Sequence, residues 1–279
     1  TANANANGAA GSPPAAPAPA SAAGRAARSA APLKDEAVVP AGSRTQAPAG
    51  EIPFDADMER LLKLWEGQSR NLKSLDVMIY RKDVDSRAVL GGEQHYQGTA
   101  KFQTPDRAYI EFNLIKLDKN KKPVVNPQTR RRVTEEYEKI KCTGKEVWQY
   151  VYDSKQIFIY PLSKEDQARA LDEGPLPFLF NMKADEARNR YDMFLIKDKD
   201  PKVEAAKKVH QIKVIPKLAI DREDFGEALV ELERKYLLPQ RIVLFSPDRT
   251  GTREYYLSNH KANQPIDSGY FQGVEYKAP

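Results

Sequence analysis

The 279-residue sequence has very little of the residue types on which many metal and disulfide sites depend. It contains one cysteine, Cys142, so the chain alone can form neither a disulfide framework nor a cysteine-based metal site. We interpret Cys142, which lies in an apolar alternating stretch, as a small buried hydrophobic residue. The three histidines, His95, His210 and His260, are scattered without the spacing of metal ligands. No metal site and no cofactor are therefore expected.

Catalytic motifs are missing as well. The sequence has no Gly-x-Ser-x-Gly turn, and glycines such as Gly144 stand singly in predicted turns rather than in a phosphate-binding loop before a helix. Acidic pairs such as Glu135-Glu136 fall on polar connections, where solvated charge is the usual role. No run approaches the roughly 18 apolar residues that a membrane-spanning helix requires. An enzyme and a transmembrane segment are therefore not expected.

Charge is nearly balanced, with 44 Lys and Arg against 39 Asp and Glu and a net charge of +5. Both signs are interspersed, which does not favour a nucleic-acid partner. One segment differs, because residues Lys116–Arg132 contain seven basic side chains and one aspartate. This segment either contacts phosphate headgroups or an acidic partner, or it is a solvated hairpin arm.

The first part of the chain differs in composition from the rest. Residues 1–50 contain 19 alanines, 7 prolines and no aromatic residue, so they cannot bury enough apolar surface to offset the entropy of ordering. We predict a disordered leader or linker over residues 1–52 and one folded domain over residues 53–279. Because the sequence opens at Thr1, we expect a removed signal peptide and an exported protein of the periplasm or cell envelope.

Periodicity predicts a mainly β (α+β) fold for the folded domain. Apolar residues at three- and four-residue steps predict an amphipathic helix over Asp55–Ser74. From Leu75 the apolar period changes to two, which indicates strands with tight connections. About six strands, one of them around Ile140–Cys142, precede a helical interruption between Ser163 and Arg190. About five follow it, beginning with Tyr191–Ile196 and Val209–Pro216, and a hairpin turn is predicted near Leu237. The sequence therefore predicts an antiparallel sheet of about eleven strands with an opening helix and two short helices inserted midway.

The inserted segment Gly174–Met182 is unusually apolar between two charged stretches. One interpretation is a helix packed permanently on the sheet. The other is a movable lid over a concave sheet face, in which methionine adapts to ligands of varied shape.

Several motifs together resemble the periplasmic outer-membrane lipoprotein carriers of the LolA/LolB-like fold, and more closely a planctomycete family of LolA-like proteins. They are the opening helix ending in Leu72-Lys-Ser-Leu75, the turn Gly98-x-x-x-Phe102-x-x-Pro105, and Cys142-Thr-Gly-Lys-Glu-Val-Trp148-Gln-Tyr150. The Pro175–Met182 segment and the strands after it also match. The resemblance covers nearly all of Phe54–Tyr276.

The resemblance implies a strongly curved, open antiparallel half-barrel whose apolar cavity shields acyl chains under a helical lid, with no cofactor and no chemistry. It implies a cavity-lining role for Ala108, Ile110 and Phe112, and a lid role for a second set of apolar residues, Leu176, Phe178, Leu179, Phe180 and Met182. One position differs from the carriers: Thr104 stands where they have the arginine that governs lid opening.

The function expected on these grounds is a monomeric carrier of acyl chains of lipoproteins or lipids, with acceptor proteins in the inner or outer membrane as further partners. One alternative is an envelope sensor on the same fold that binds a protein partner. A second is a hydrolase with a catalytic carboxylate, which a cluster of perturbed acids in a cleft would favour.

Overall fold

The computed structural model of the chain describes residues 55–87, 92–162 and 183–274. These residues form one antiparallel sheet of eleven strands, which confirms the predicted fold class. The strands are β1 (Ser74–Asp85), β2 (Gly92–Gln103), β3 (Arg107–Ile115), β4 (Thr134–Thr143), β5 (Glu146–Val151), β6 (Gln156–Pro161), β7 (Tyr191–Ile196), β8 (Val209–Pro216), β9 (Glu227–Glu233), β10 (Pro239–Phe245) and β11 (Gly251–Ala262).

The strand order is β6-β5-β4-β3-β2-β1-β11-β10-β9-β8-β7, so the first and last strands are neighbours in the middle. Strands β1–β6 form one half of the sheet and β7–β11 the other, and the halves join where Leu75 pairs with Ala262 and Ile79 with Leu257. The sheet is open, and its two edges are β6 and β7.

Four α-helices lie within the described residues: α1 (Ala56–Arg70), α2 (Ala184–Arg190), α3 (Pro201–Ala206) and α4 (Ala219–Asp224), followed by a 3-10 helix at Ser268–Phe271. Helix α1 ends at Arg70, four residues before its predicted end, because Ser74 already begins β1. Helices α3 and α4 were not predicted, since six residues are too few to show a helical period.

Helix α1 lies on the sheet face that we call the inner face, to which Leu75, Val77 and Ile79 of β1 point. The apolar stripe of the helix is buried against it in a single hydrophobic cluster, with Met58, Leu61, Leu62 and Trp65. Polar contacts fix the start of the helix beside the β7 edge: Arg188 of α2 binds Glu59 (Nε to Oε2, 3.1 Å), and Lys197 binds Asp57.

Bulges and one glycine bend the sheet around this helix. The pairing register shifts between Asp76 and Met78 in β1 and between Phe112 and Asn113 in β3, and such bulges increase local bend and twist. At Gly98 in β2 a Cβ atom would lie 1.8 Å from the backbone oxygen of Glu111 in β3. Only glycine allows the two strands to approach this closely, so Gly98 contributes to the curvature.

The C-terminal segment after β11 crosses the opposite, outer face. Tyr270 packs edge-on against Tyr109 with the ring centres 5.0 Å apart, and Phe271 is buried. Lys141 donates to the backbone oxygen of Gln272 at 2.9 Å. The Tyr150 hydroxyl donates to the backbone oxygen of Val274 at 3.0 Å. These contacts cover part of the outer face of strands β3–β5, so this part of the sheet is packed on both sides.

Candidate ligand-binding site

The inner face is apolar across both halves of the sheet. Its buried side chains come from strands as distant in the order as β5 and β7, and include Ala100, Val147, Met193, Val214, Val230 and Ile242. The three predicted cavity residues are part of this face, because Ala108, Ile110 and Phe112 pair with Phe102, Ala100 and Gly98 of β2. All three are buried in the hydrophobic cluster. Their role in lining a cavity stays a prediction.

A pocket of about 430 Å³ opens on the inner face where α1 ends. This volume lies within the roughly 300–1,000 Å³ of typical small-molecule sites. The helix contributes Gln68, Asn71 and Leu72, β10 and β11 contribute Gln240, His260 and Ala262, and the β9–β10 hairpin contributes Glu233, Tyr236 and Leu238. Its floor is therefore a mixture of apolar side chains and neutral amides, with one carboxylate.

Local backbone irregularities create this pocket. The register of β10 against β9 shifts between Pro239 and Arg241, so Gln240 is left outside the regular pairing. The backbone also turns sharply at Leu237 and Asn259, whose φ angles are positive, at 51° and 55°. Asn263 closes the base of the pocket, since its side-chain oxygen accepts from Lys73 N at 2.7 Å and its amide donates to Asn71 O at 3.1 Å. The wall between α1 and β11 is thus fixed by side chain to backbone bonds.

His260 is the titratable ring in the pocket wall. Burial lowers its pKa below the ordinary value, although the hydrogen bond to the Pro239 carbonyl oxygen opposes the shift. That bond is 3.0 Å long, and because a carbonyl oxygen only accepts, Nε2 of His260 carries the proton. The lowered pKa favours the neutral ring, and the wall that it forms suits an uncharged part of a ligand.

The other end of the inner face carries a buried arginine. Arg81 donates from Nε to Oδ1 of Asp83 at 2.8 Å, and its guanidinium lies 4.5 Å from the ring centre of Tyr96 and 5.2 Å from that of Phe112. Burial alone would lower the pKa of Arg81, but the hydrogen bond to Asp83 holds it above the ordinary value. The inner face is thus apolar along its length and charged at this end.

The predicted lid residues, Leu176, Phe178, Leu179, Phe180 and Met182, lie outside the described residues, and their role stays a prediction. Their position in the chain is informative, because they belong to the connection between Leu162, just after β6, and Lys183, just before α2. Strands β6 and β7 are the two edges of the sheet. This connection therefore joins one edge of the sheet to the other.

The sequence did not indicate most of the pocket residues. Leu72 was part of the predicted helical stripe, but Tyr236, Leu238 and His260 had no recognisable spacing. The one available signal was the predicted turn near Leu237, which places the hairpin but not its contact with α1. Residues such as Gln68 and Asn263 are far apart in sequence, and only the pairing of β11 with β1 brings them together.

The structure tests the sequence prediction for Cys142. Cys142 is 3% exposed, as expected for a small core residue, and its thiol donates to the Asp106 carbonyl oxygen at 3.0 Å. Among residues 55–87, 92–162 and 183–274, no group of three or more His, Cys, Asp or Glu side chains could hold a metal ion. In the same part of the chain, no helix is long and apolar enough to cross a membrane.

Known proteins of similar architecture were found among solved structures. No protein-family model matches the chain, and no curated protein matches it in sequence. An uncharacterised conserved protein from Thermus thermophilus is 11% identical, with a TM-score of 0.44 over 78% of this chain and 95% of its own. A LolA superfamily protein from Nitrosomonas europaea is 8% identical, with a TM-score of 0.33 over 76% and 97%.

The lipoprotein LppX from Mycobacterium tuberculosis is a further similar structure, 10% identical with a TM-score of 0.38 over 77% of this chain and 99% of its own. The similarity concerns the arrangement of helices and strands, and no ligand, partner or residue role of this chain follows from it.

Proposed function

We propose that this chain is a non-enzymatic, monomeric carrier of the cell envelope that shelters acyl chains of lipoproteins or lipids. The observation that supports this proposal is the pocket of about 430 Å³ at the end of α1, which opens on an apolar face formed by both halves of the sheet. An acyl chain enters the pocket beside Leu72 and Leu238 and packs against the apolar side chains at the end of the helix. Its polar end remains at the neutral amides that line the pocket.

The energetics of burial support such a ligand. Each methylene group removed from water contributes about 0.8 kcal/mol, so burying about ten of them contributes roughly 8 kcal/mol. Before the costs of association, this corresponds to a dissociation constant on the order of 1 μM. An apolar surface therefore holds an acyl chain without specific contacts, and neutral polar groups such as Gln240 and His260 suffice at the rim. Release requires a competing surface or a lid that closes better on the empty pocket.

The test is native mass spectrometry of the full chain, followed by solvent extraction of bound molecules and by titration with palmitate and an acylated peptide. Ala262→Phe fills the pocket from the inner side of β11 and is expected to reduce uptake at least tenfold. Ser258→Phe is the matched control. Ser258 lies in β11, as Ala262 does, but points to the outer face, where it pairs with the exposed Met78 of β1. The double variant Phe178→Ser, Phe180→Ser tests the predicted lid.

A heterogeneous acyl adduct in the unaltered protein and in Ser258→Phe, but not in Ala262→Phe, is the expected result. A clean apo mass with no uptake of palmitate or acylated peptide contradicts the carrier proposal. In that case a module that binds a protein partner becomes the better account. Uptake that Ala262→Phe does not change contradicts the assignment of the pocket.

A further inference from the structure

The basic segment between β3 and β4 forms a separate arm, residues Lys116–Val133. Backbone bonds fold it into two successive hairpins: Val124 N donates to Lys116 O at 2.8 Å in the first, and Val133 N donates to Val124 O at 2.8 Å in the second. Isolated bridges between Leu117 and Pro123 and between Val125 and Arg132 hold the same pairing. The arm is thus an ordered extension of the sheet.

The two turns of this arm concentrate positive charge. Asp118 is committed to the first turn, where its carboxylate accepts from Asn120 N and Lys122 N. The turns carry five exposed basic residues with no ion-pair partner among the described residues, namely Lys119, Lys121, Lys122, Arg130 and Arg131. Of the other two cations of the arm, Lys116 binds Glu135 and Arg132 lies over the ring of Tyr80.

Apolar side chains are exposed between the two basic turns. Val124 and Val125 are 36% and 51% exposed, in the short central segment that both hairpins share. Successive residues of an extended segment point to opposite faces, so either face of the arm presents one valine flanked by cations. A cationic surface with an apolar centre matches the interface of an anionic bilayer, where basic groups bind headgroups and apolar groups enter the acyl boundary. An acidic protein surface would provide no apolar contact for the exposed valine unless that surface also carried an apolar patch.

We propose that the arm Lys116–Val133 docks this protein on an anionic membrane surface through its two basic turns. The proposal does not depend on the acyl pocket, which lies at the opposite end of the strands, where Leu75 pairs with Ala262. Each basic residue near an anionic membrane contributes about 1 kcal/mol, or about a fivefold change in binding. The attraction is screened by salt, since the Debye length falls from about 10 Å at 0.1 M to about 3 Å at 1 M.

The experiment is co-sedimentation of the full chain with vesicles of phosphatidylcholine alone or of phosphatidylcholine with phosphatidylglycerol. We expect binding to the anionic vesicles only, and its loss at high salt. The triple variant Lys119→Gln, Lys121→Gln, Lys122→Gln should weaken binding about a hundredfold. Because the altered side chains are all exposed, folding is expected to be unchanged, and a circular dichroism spectrum checks this point.

The matched control removes the same charge at the other end of the sheet, with Lys145→Gln, Lys199→Gln, Lys202→Gln. All three are exposed: Lys145 lies in the β4–β5 turn, Lys199 precedes α3 and Lys202 lies within it. This variant should bind anionic vesicles within about threefold of the unaltered chain. Equal weakening by the two triple variants would show a general charge effect and overturn the assignment to the arm. Absence of binding to anionic vesicles at low salt would overturn the proposal and leave an acidic protein as the partner to test.

Discussion

Replacing Leu62 with alanine tests whether α1 is a fixed part of the core. Leu62 is 0% exposed, in the centre of the helix, and packs in the same cluster as Leu75 and Val77 of the inner face. Leucine to alanine changes at buried sites cost about 2–5 kcal/mol, from lost transfer free energy and the cavity that remains. Because Leu62 is completely buried, we expect Leu62→Ala to lower the free energy of unfolding by about 3 kcal/mol or more. For a domain of this size, that lowers the melting temperature by roughly 6–12 °C.

The chain offers a matched control in the same helix. Leu64 is 58% exposed, so Leu64→Ala should change the free energy of unfolding by about 0.5 kcal/mol or less. Urea unfolding followed by circular dichroism gives the midpoint and the slope for both variants, and the slope should stay constant. If Leu62→Ala and Leu64→Ala have the same stability, the helix is not packed on the sheet in solution, and the described pocket wall is wrong.

Two further predictions concern single residues away from the pocket. Gly98→Ala should destabilise the fold by roughly 1–3 kcal/mol, because its Cβ would lie 1.8 Å from the Glu111 backbone oxygen. The Cβ of Gly67→Ala would meet no atom within 4 Å, so this variant should stabilise α1 by about 0.5–1 kcal/mol. Urea unfolding measures both free energies, and a change of the same sign in the two variants would contradict this explanation. Burial raises the pKa of the Cys142 thiol to about 11, so at pH 8 a thiol reagent should modify it only in denaturant. Rapid modification of the native protein would show that the strand around Cys142 opens.

Regular elements of this fold were predictable from the sequence. The alternation over Tyr191–Ile196 and Val209–Pro216 predicted β7 and β8 with their observed bounds, because both strands bury alternate residues on one face. Strand β4 was predicted only around Ile140–Cys142. It begins at Thr134, where Glu135 and Glu136 are both exposed and leave no alternation to detect.

The site was much less predictable than the strands. The inner-face positions of Ala108, Ile110 and Phe112 followed from the resemblance and from alternation, but the pocket lies elsewhere, at the end of α1. It depends on a register shift at Gln240 and on the positive φ of Asn259, which are decided by long-range pairing rather than by local sequence. Short helices such as α4 are likewise decided by tertiary contacts, here the burial of Asp221 against Arg190.

The position of the last strand has a consequence for how the chain folds. Among the described strands, the two halves of the sheet are joined only by the pairing of β1 with β11 in its middle. They therefore cannot join until residues near 251–262 have been synthesised. Contacts this distant in sequence close a long loop at high entropic cost, which slows folding. During synthesis β1 keeps an unpaired edge until almost the whole domain has been made. Deletion of β11 would not shorten the sheet at its border but would divide it into two separate sheets.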